Sequence, residues 1–147
     1  MERATASQVP ETLTGRVTGV DHINIVIRDV ERTLAFYAGV LGLEPVALDA
    51  YRAGQRGIFS LRVNDDFVIH VRPDAEAPRP VRHDRSYDHL CLTVTGMTAE
   101  ALLAYLDAHG VPSEGGIVTR WGARGDGAAI YVTDPDGYRV ELKVYPT

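Results

Sequence analysis

The 147-residue chain has one cysteine, one tryptophan and two methionines. A single thiol, Cys91, excludes an internal disulfide and any zinc site built from cysteines. A basic excess is also missing: 15 Lys and Arg stand against 20 Asp and Glu, a formal net charge of −5. That balance repels phosphate backbones, so nucleic acid is not an expected partner, and only the cluster Arg79, Arg82 and Arg85 opposes it. No stretch approaches the roughly 18 consecutive apolar residues of a membrane-spanning helix. The start, Met1 to Thr14, is polar and has no apolar signal-peptide core, so a cytoplasmic protein without a membrane partner is expected. What remains is 45% hydrophobic and 24% charged, the composition of one globular domain with its own core. Met1 to Gly15 reads as a loosely ordered lead-in to a domain over 16–147.

The chain then says nearly the same thing twice. Gly19-Val20-Asp21-His22-Ile23-Asn24-Ile25-Val26-Ile27 returns as Ser86-Tyr87-Asp88-His89-Leu90-Cys91-Leu92-Thr93-Val94, each Asp-His opening an alternating, strand-like run. A helix follows in both copies. In the first, Asp29 is the N-cap and Val30, Leu34, Tyr37, Val40 and Leu41 recur at helical spacing until Gly42. In the second, Thr98 caps a stripe of Leu102, Leu103 and Leu106 that Gly110 and Pro112 end. Three strand-like segments follow each helix: Glu44–Tyr51, Gly57–Val63 and Phe67–Arg72, then Gly116–Arg120, Ala128–Thr133 and Tyr138–Tyr145. Asn64-Asp65-Asp66 and Asp134-Pro135-Asp136-Gly137 are the last turns. The expected fold is α+β: two tandem βαβββ modules over 16–72 and 86–147, joined by a linker over 73–85, forming a cupped mixed sheet with the helices on its outer face.

Strand alternation sorts the polar residues. Ile23, Ile25 and Ile27 face the helix while His22 and Asn24 face away; Leu90, Leu92 and Val94 oppose His89, Cys91 and Thr93. In the closing strands His70 and Glu141 are repeat mates on the face away from the helices. A pseudo-twofold brings equivalent positions together, so His22, His89 and Glu141 are the expected ligands of a divalent ion, with His70 as a fourth ligand or an acid-base group. His109 suits a helix C-terminus, His83 is expected to face solvent, and Cys91 is expected to be a small buried residue.

These paired Asp-His strands, the segment Phe36-Tyr37-Ala38-Gly39-Val40-Leu41-Gly42-Leu43, and the closing Ile130-Tyr131-Val132-Thr133-Asp134-Pro135-Asp136-Gly137-Tyr138-Arg139-Val140-Glu141-Leu142 resemble the vicinal oxygen chelate superfamily. That superfamily includes glyoxalase I, extradiol dioxygenases, fosfomycin-resistance enzymes, methylmalonyl-CoA epimerase and metal-free bleomycin-binding proteins. The resemblance implies one metal ion in the cup, held by His22, His89 and Glu141, and a small substrate chelated through neighbouring oxygens. Metal-free members usually lose these ligands, which this chain keeps.

Where glyoxalase I members carry Glu or Gln, this chain has His70. Extradiol dioxygenases use two His and one Glu for Fe(II), keep an acid-base histidine at a place resembling His70, and have a tyrosine at the place of Tyr131. They also place a histidine where this chain reads Gly122-Ala123-Arg124. Fosfomycin-modifying enzymes share the triad and the tyrosine. The reading therefore favours an extradiol-type dioxygenase with Fe(II), and Mn, Ni or Zn suit the same ligands. A glyoxalase-like lyase or isomerase, a fosfomycin-type resistance enzyme and a metal-free antibiotic-binding protein are the alternatives. His70 and Tyr131 are the candidate catalytic residues. Arg120 and Arg124, with Arg72 in reserve, offer guanidinium donors to an anionic substrate, and Trp121 offers an aromatic wall or lid. The glycines Gly122, Gly125 and Gly127 suggest a mobile loop. A homodimer is expected, since single-chain members commonly pair.

Overall fold

The computed structural model describes residues 12, 14, 16, 18–77 and 88–147. The expectations for His83, for the arginine cluster, for most of the lead-in and for the linker beyond residue 77 fall outside them. The first module runs β1 (His22–Ile27), α1 (Val30–Leu34), β2 (Glu44–Val46), α2 (Leu48–Arg52), β3 (Phe59–Arg62) and β4 (Val68–Pro73). The second runs β5 (Leu90–Thr93), α3 (Ala99–Ala108), β6 (Ser113–Gly122), β7 (Gly125–Thr133) and β8 (Arg139–Val144).

The duplication read from the residues is a duplication of topology. The strand orders are β1-β4-β3-β2 and β5-β8-β7-β6. In each module the first strand pairs parallel with the last, and the remaining pairs are antiparallel. The strands form two four-stranded sheets rather than one continuous sheet, so β1, which opens on His22, and β5, which follows His89, are both edge strands.

The caps act as their residue types dictate. Asp29 accepts from the Arg32 N–H and Thr98 from the Ala101 N–H. Gly42 ends the first helical run with a φ of 73°, a conformation open to glycine. That run is less regular than its spacing suggests: after Leu34 it widens into π-helical turns over Ala35–Val40. The segment expected as a strand from Glu44 to Tyr51 is a strand only to Val46. Ala47 then turns left-handed with φ 60° and a short helix begins. Ala47-Leu48-Asp49-Ala50-Tyr51-Arg52 has no β-branched residue to hold it extended. Folding it into a turn of helix instead brings Leu48 and Tyr51 against the core. In the second module β6 is longer than expected, with a bulge between Ser113 and Ile117.

A single apolar cluster spans both modules, from Ile25, Ile27, Phe59, Leu61, Ile69 and Val71 to Leu92, Leu106, Ile130, Val132, Val140 and Leu142. The modules are fastened by polar groups at the β7–β8 turn. Buried Asp134 accepts the Tyr37 hydroxyl at 2.8 Å through Oδ2, and its Oδ1 accepts the N–H groups of Asp136 and Tyr138. Asp136, also buried, accepts the Arg28 N–H at 2.9 Å. The Tyr138 hydroxyl donates to the Val26 carbonyl and accepts its N–H, satisfying both groups on an edge strand. Across the helices, the Tyr105 hydroxyl donates to the Val40 carbonyl at 2.7 Å.

Burial holds the Asp134 carboxyl above its ordinary range, only partly offset by its Tyr37 and backbone hydrogen bonds. Asp134→Ala strands one hydroxyl and two amide donors and is expected to cost about 3 kcal/mol, a fall in Tm of roughly 10 °C; a loss below about 1 kcal/mol would show that the turn does not hold the modules together. Asp134→Asn keeps an acceptor for the two amides and should lose much less. Because the folded carboxyl binds its proton more tightly than the unfolded one, that contribution is complete at acid pH and is lost as pH rises through the raised folded value. Wild type should therefore gain on Asp134→Asn as pH falls, a trend that denaturation curves across pH would read.

Candidate functional site

Two pairs of polar side chains stand on the sheet faces away from the helices. In the first module His22 lies on β1 and His70 on β4, where His70 registers with Asn24. Their ring centroids are 4.2 Å apart at an interplanar angle of 43°. Each ring is held at Nδ1: His22 by Asp21 Oδ2 at 2.6 Å, and His70 by Ser60 Oγ at 2.6 Å, from the neighbouring position on β3. The hydrogen bond from His22 holds the Asp21 carboxyl below its ordinary range. Burial, then the neighbouring His22, lowers His70.

In the second module His89 stands at the onset of β5, and Glu141 on β8 registers with Cys91. His89 Nε2 is 2.9 Å from Glu141 Oε2, while its Nδ1 is 2.5 Å from Asp88 Oδ2. The His89 hydrogen bond lowers the Asp88 carboxyl. Glu141 is buried, and so is Lys143, two residues on. Lys143 Nζ sits 3.2 Å from Glu141 Oε1 as an ion pair and donates to the Arg120 carbonyl at 2.8 Å. Glu141 Oε1 makes no hydrogen bond of its own.

Tyr131 on β7 registers with Glu141, and its ring meets His89 edge-on at 5.5 Å. Burial first and the Glu141 charge second raise its phenol, so it stays protonated at neutral pH. The Arg139 guanidinium lies 4.0 Å from the Tyr131 ring centroid and binds Glu114 and Asp88. Gly122 and Gly127 leave the space that Lys143 and Tyr145 fill; a Cβ at Gly122 would stand 2.6 Å from the Tyr145 hydroxyl oxygen and 2.9 Å from Lys143 Cε.

His22 is therefore joined with His70, and His89 with Glu141 and Tyr131, but the two groups are not merged within one chain. Among the described residues no set of three His, Cys, Asp or Glu is close enough to hold an ion. An open groove of ≈ 920 Å³ runs between the modules, lined by Asp21 and Ile23 on one side and His89, Leu90 and Cys91 on the other. Of the expected substrate contacts, Arg120 reaches within 5.9 Å of the Tyr131 ring centroid. Arg124 instead lies over Tyr145, whose hydroxyl accepts its N–H. Trp121 sits near the tip of the β6–β7 hairpin with 83% of its surface exposed. The β6–β7 pairing continues to Gly122 and Gly125, so the glycines lie in a braced hairpin rather than a loose loop.

Cys91 was expected to be buried and is exposed, because its side chain leaves the sheet on the open face. Its thiol is nevertheless raised to about 11 by partial enclosure and by the Glu141 charge. His109 behaves as a helix-end residue, with Nδ1 2.8 Å from the Tyr105 carbonyl oxygen. Sequence reasoning missed Ser60, Lys143 and Arg139. It also noted the aspartates of the two Asp-His pairs without giving them a role, although their repetition was the available signal.

The chemistry of the donors fits a divalent ion. Three imidazoles have Nδ1 occupied; Nε2 remains for an ion on His22 and His70, while on His89 it already stands 2.9 Å from Glu141 Oε2, a buried carboxylate whose other oxygen is paired with Lys143. Two βαβββ modules with imidazole and carboxylate donors on their open faces define the glyoxalase-like fold class. The family model for the Glyoxalase/Bleomycin resistance protein/Dioxygenase superfamily matches residues 19–142, and the chain belongs to that superfamily. It is 32% identical over 133 residues to the glyoxalase domain-containing protein RDO1 of Mycosarcoma maydis, across 88% of this chain and 69% of that protein. Against virulence protein STM3117 of Salmonella typhimurium it is 28% identical over 127 residues, 86% of this chain and 83% of that one. The same fold is seen in a glyoxalase/dioxygenase from Nostoc punctiforme, with a TM-score of 0.74 at 20% identity, covering 95% of this chain and 99% of that one. The crystal structure of STM3117 matches with a TM-score of 0.67 at 23% identity, over 88% and 97% of the two chains. Among the described residues no helix is long and apolar enough to cross a membrane.

Lys143→Met leaves the Glu141 carboxylate buried without its cation and is expected to cost about 3 kcal/mol in chemical denaturation. The double variant Lys143→Met/Glu141→Gln should recover most of that loss. Equal losses in the single and double variants would show that the ion pair is not what keeps the lysine in the sheet.

Proposed function

We propose that the protein is a metal-dependent enzyme acting on a small substrate through two neighbouring oxygens, and that a homodimer completes its site. In this reading His22 and His70 of one protomer face His89 and Glu141 of the other. The observation that carries it is the split itself: two donor pairs on two edge-strand modules, each pair in contact and neither sufficient for an ion. Edge strands are natural places for a second copy to dock.

A bound divalent ion supplies Lewis acidity there, stabilising negative charge on the two substrate oxygens; Fe(II) is favoured, with Mn, Ni or Zn as other candidates. The protein's own groups supply the rest. With Nδ1 tied to Ser60, His70 has Nε2 available to take up and return a proton. Tyr131, protonated beside His89 and Glu141, donates a hydrogen bond to a substrate oxygen. Arg120, at the rim, offers charge-assisted bonds to an anionic group.

Ring opening of a catechol-type diol by an extradiol mechanism leads, because an imidazole rather than a carboxylate holds the fourth position and Tyr131 stands against both His89 and Glu141. The 4.2 Å contact of the His22 and His70 rings favours a second reading. If both histidines serve as ligands, fewer positions remain for oxygen, and the chemistry becomes that of a lyase or isomerase.

Two measurements test this. Anaerobic loading with Fe(II), followed by oxygen uptake on a catechol panel, should show turnover; uptake with no diol, alongside isomerisation of a hemithioacetal, decides for the lyase. Protein that takes up none of the four metals would instead be a sequestering protein. For the shared site, His22→Ala and Glu141→Ala should each be inactive alone. Mixed and re-associated in equal amounts, they should regain about a quarter of wild-type activity, since half the dimers are hybrids and each hybrid has one intact site. No recovery on mixing would return the site to a single chain.

A further inference from the structure

Both copies of the Asp-His motif make the same contact. Asp21 Oδ2 lies 2.6 Å from His22 Nδ1, and Asp88 Oδ2 lies 2.5 Å from His89 Nδ1. Consecutive residues inside a strand project to opposite faces and cannot pair in this way. Here each aspartate precedes its strand, β1 beginning at His22 and β5 at Leu90, so its side chain is free to fold onto the next ring. Local stabilisation is a poor explanation. The Asp21 and Asp88 side chains are 90% and 71% exposed, and ion pairs this open are screened and add little to stability.

What the contact does achieve is orientation. A carboxylate at Nδ1 holds the ring so that Nε2 is directed across the sheet face. In the second copy that brings His89 Nε2 to 2.9 Å from Glu141 Oε2, so the two candidate ligand atoms already converge. For His22 the ring is set against His70. Asp88 is anchored in turn by Arg139 at 3.3 Å, and Arg139 by Glu114 at 3.0 Å, so the second copy is braced further out than the first.

Resting on the metal reading above, we infer that Asp21 and Asp88 are positioning residues, each holding one imidazole so that its Nε2 is presented to a divalent ion. A carboxylate behind a ligating histidine fixes its tautomer and raises its basicity, and losing it commonly costs about 10- to 100-fold in metal affinity.

The test uses the full-length wild type and the variants Asp21→Ala, Asp88→Ala, Asp21→Asn and Asp88→Asn, with Co(II) and Ni(II) as probes. Calorimetry should show each alanine variant binding about 10- to 100-fold more weakly, with the asparagine variants recovering part of the loss because an amide oxygen still accepts from Nδ1–H. The Co(II) ligand-field spectrum should shift in the alanine variants. Thermal melts of the metal-free proteins should stay within about 2 °C of wild type, as expected for exposed pairs. In metal-free wild type, nitrogen NMR of the His22 ring should report the proton on Nδ1, and Asp21→Ala should give a tautomer mixture. Variant affinities within twofold of wild type, or a wild-type His22 protonated on Nε2 alone, overturn the positioning role while leaving the metal site standing. Wild type that binds neither probe, with its His22 tautomer as stated, overturns the metal reading, and the proposal falls with it.

Discussion

The two buried carboxylates of the Asp134-Pro135-Asp136-Gly137 turn decide how the halves of this molecule meet. A carboxylate taken out of water must find donors, and these find them across the module junction: the Tyr37 hydroxyl and the Arg28 amide, with the adjoining Tyr138 bound to both backbone groups of Val26. Docking at the turn and between the helices buries the apolar faces of both sheets in one core. It commits the helix-covered faces to the inside of the chain, and the His22 and Glu141 faces are left for something else. The position of the candidate site thus follows from where the polar staples of the core had to be placed.

Much of this was legible in the residues because period-two alternation and capping are local rules. The repeated Asp-His runs predicted matching strands, and Asp29 and Thr98 predicted helix starts that they do cap. The stretch after Glu44 is a helical turn because Leu48 and Tyr51, three residues apart, would leave opposite faces of a strand but reach the core together from a helix, a spacing too short to stand out as a helical period. Cys91 was misjudged for a related reason. Residue type predicts burial on average, while strand parity decides which side of the sheet a given side chain leaves by. Neither rule reports how one sheet stands relative to another, so alternation foretold which donors share a face but not that they separate into two pairs.

Within each pair the donors are held from behind: His22 by Asp21, His70 by Ser60, His89 by Asp88 and Glu141 by Lys143. The Glu141–Lys143 contact stands apart, because both partners are buried. Burying a lysine is costly unless a carboxylate and a carbonyl receive it, and the sheet supplies Glu141 and the Arg120 carbonyl. Room for the lysine stem comes from Gly122 and Gly127, where any Cβ would crowd Lys143 or Tyr145. The glycines of the β6–β7 hairpin are therefore explained by packing beneath it, and Tyr145 braces the tip through the Arg124 amide.

A site divided between two edge-strand modules has a thermodynamic consequence under the dimer reading. Each half offers two donors, too few to hold an ion against water with useful affinity, whereas four donors converge only when two protomers associate. Ion binding and association are then linked: whatever free energy the ion gains from the third and fourth donors is returned as tighter pairing of the subunits, by the same factor in both directions. Exposed aspartates that pre-orient the histidines are most useful in such an arrangement. Each half must already present Nε2 correctly before its partner arrives, because ring rotation left free in the separate chain would be an ordering cost at assembly. Both Asp-His contacts are already made within the single chain, as that demand requires.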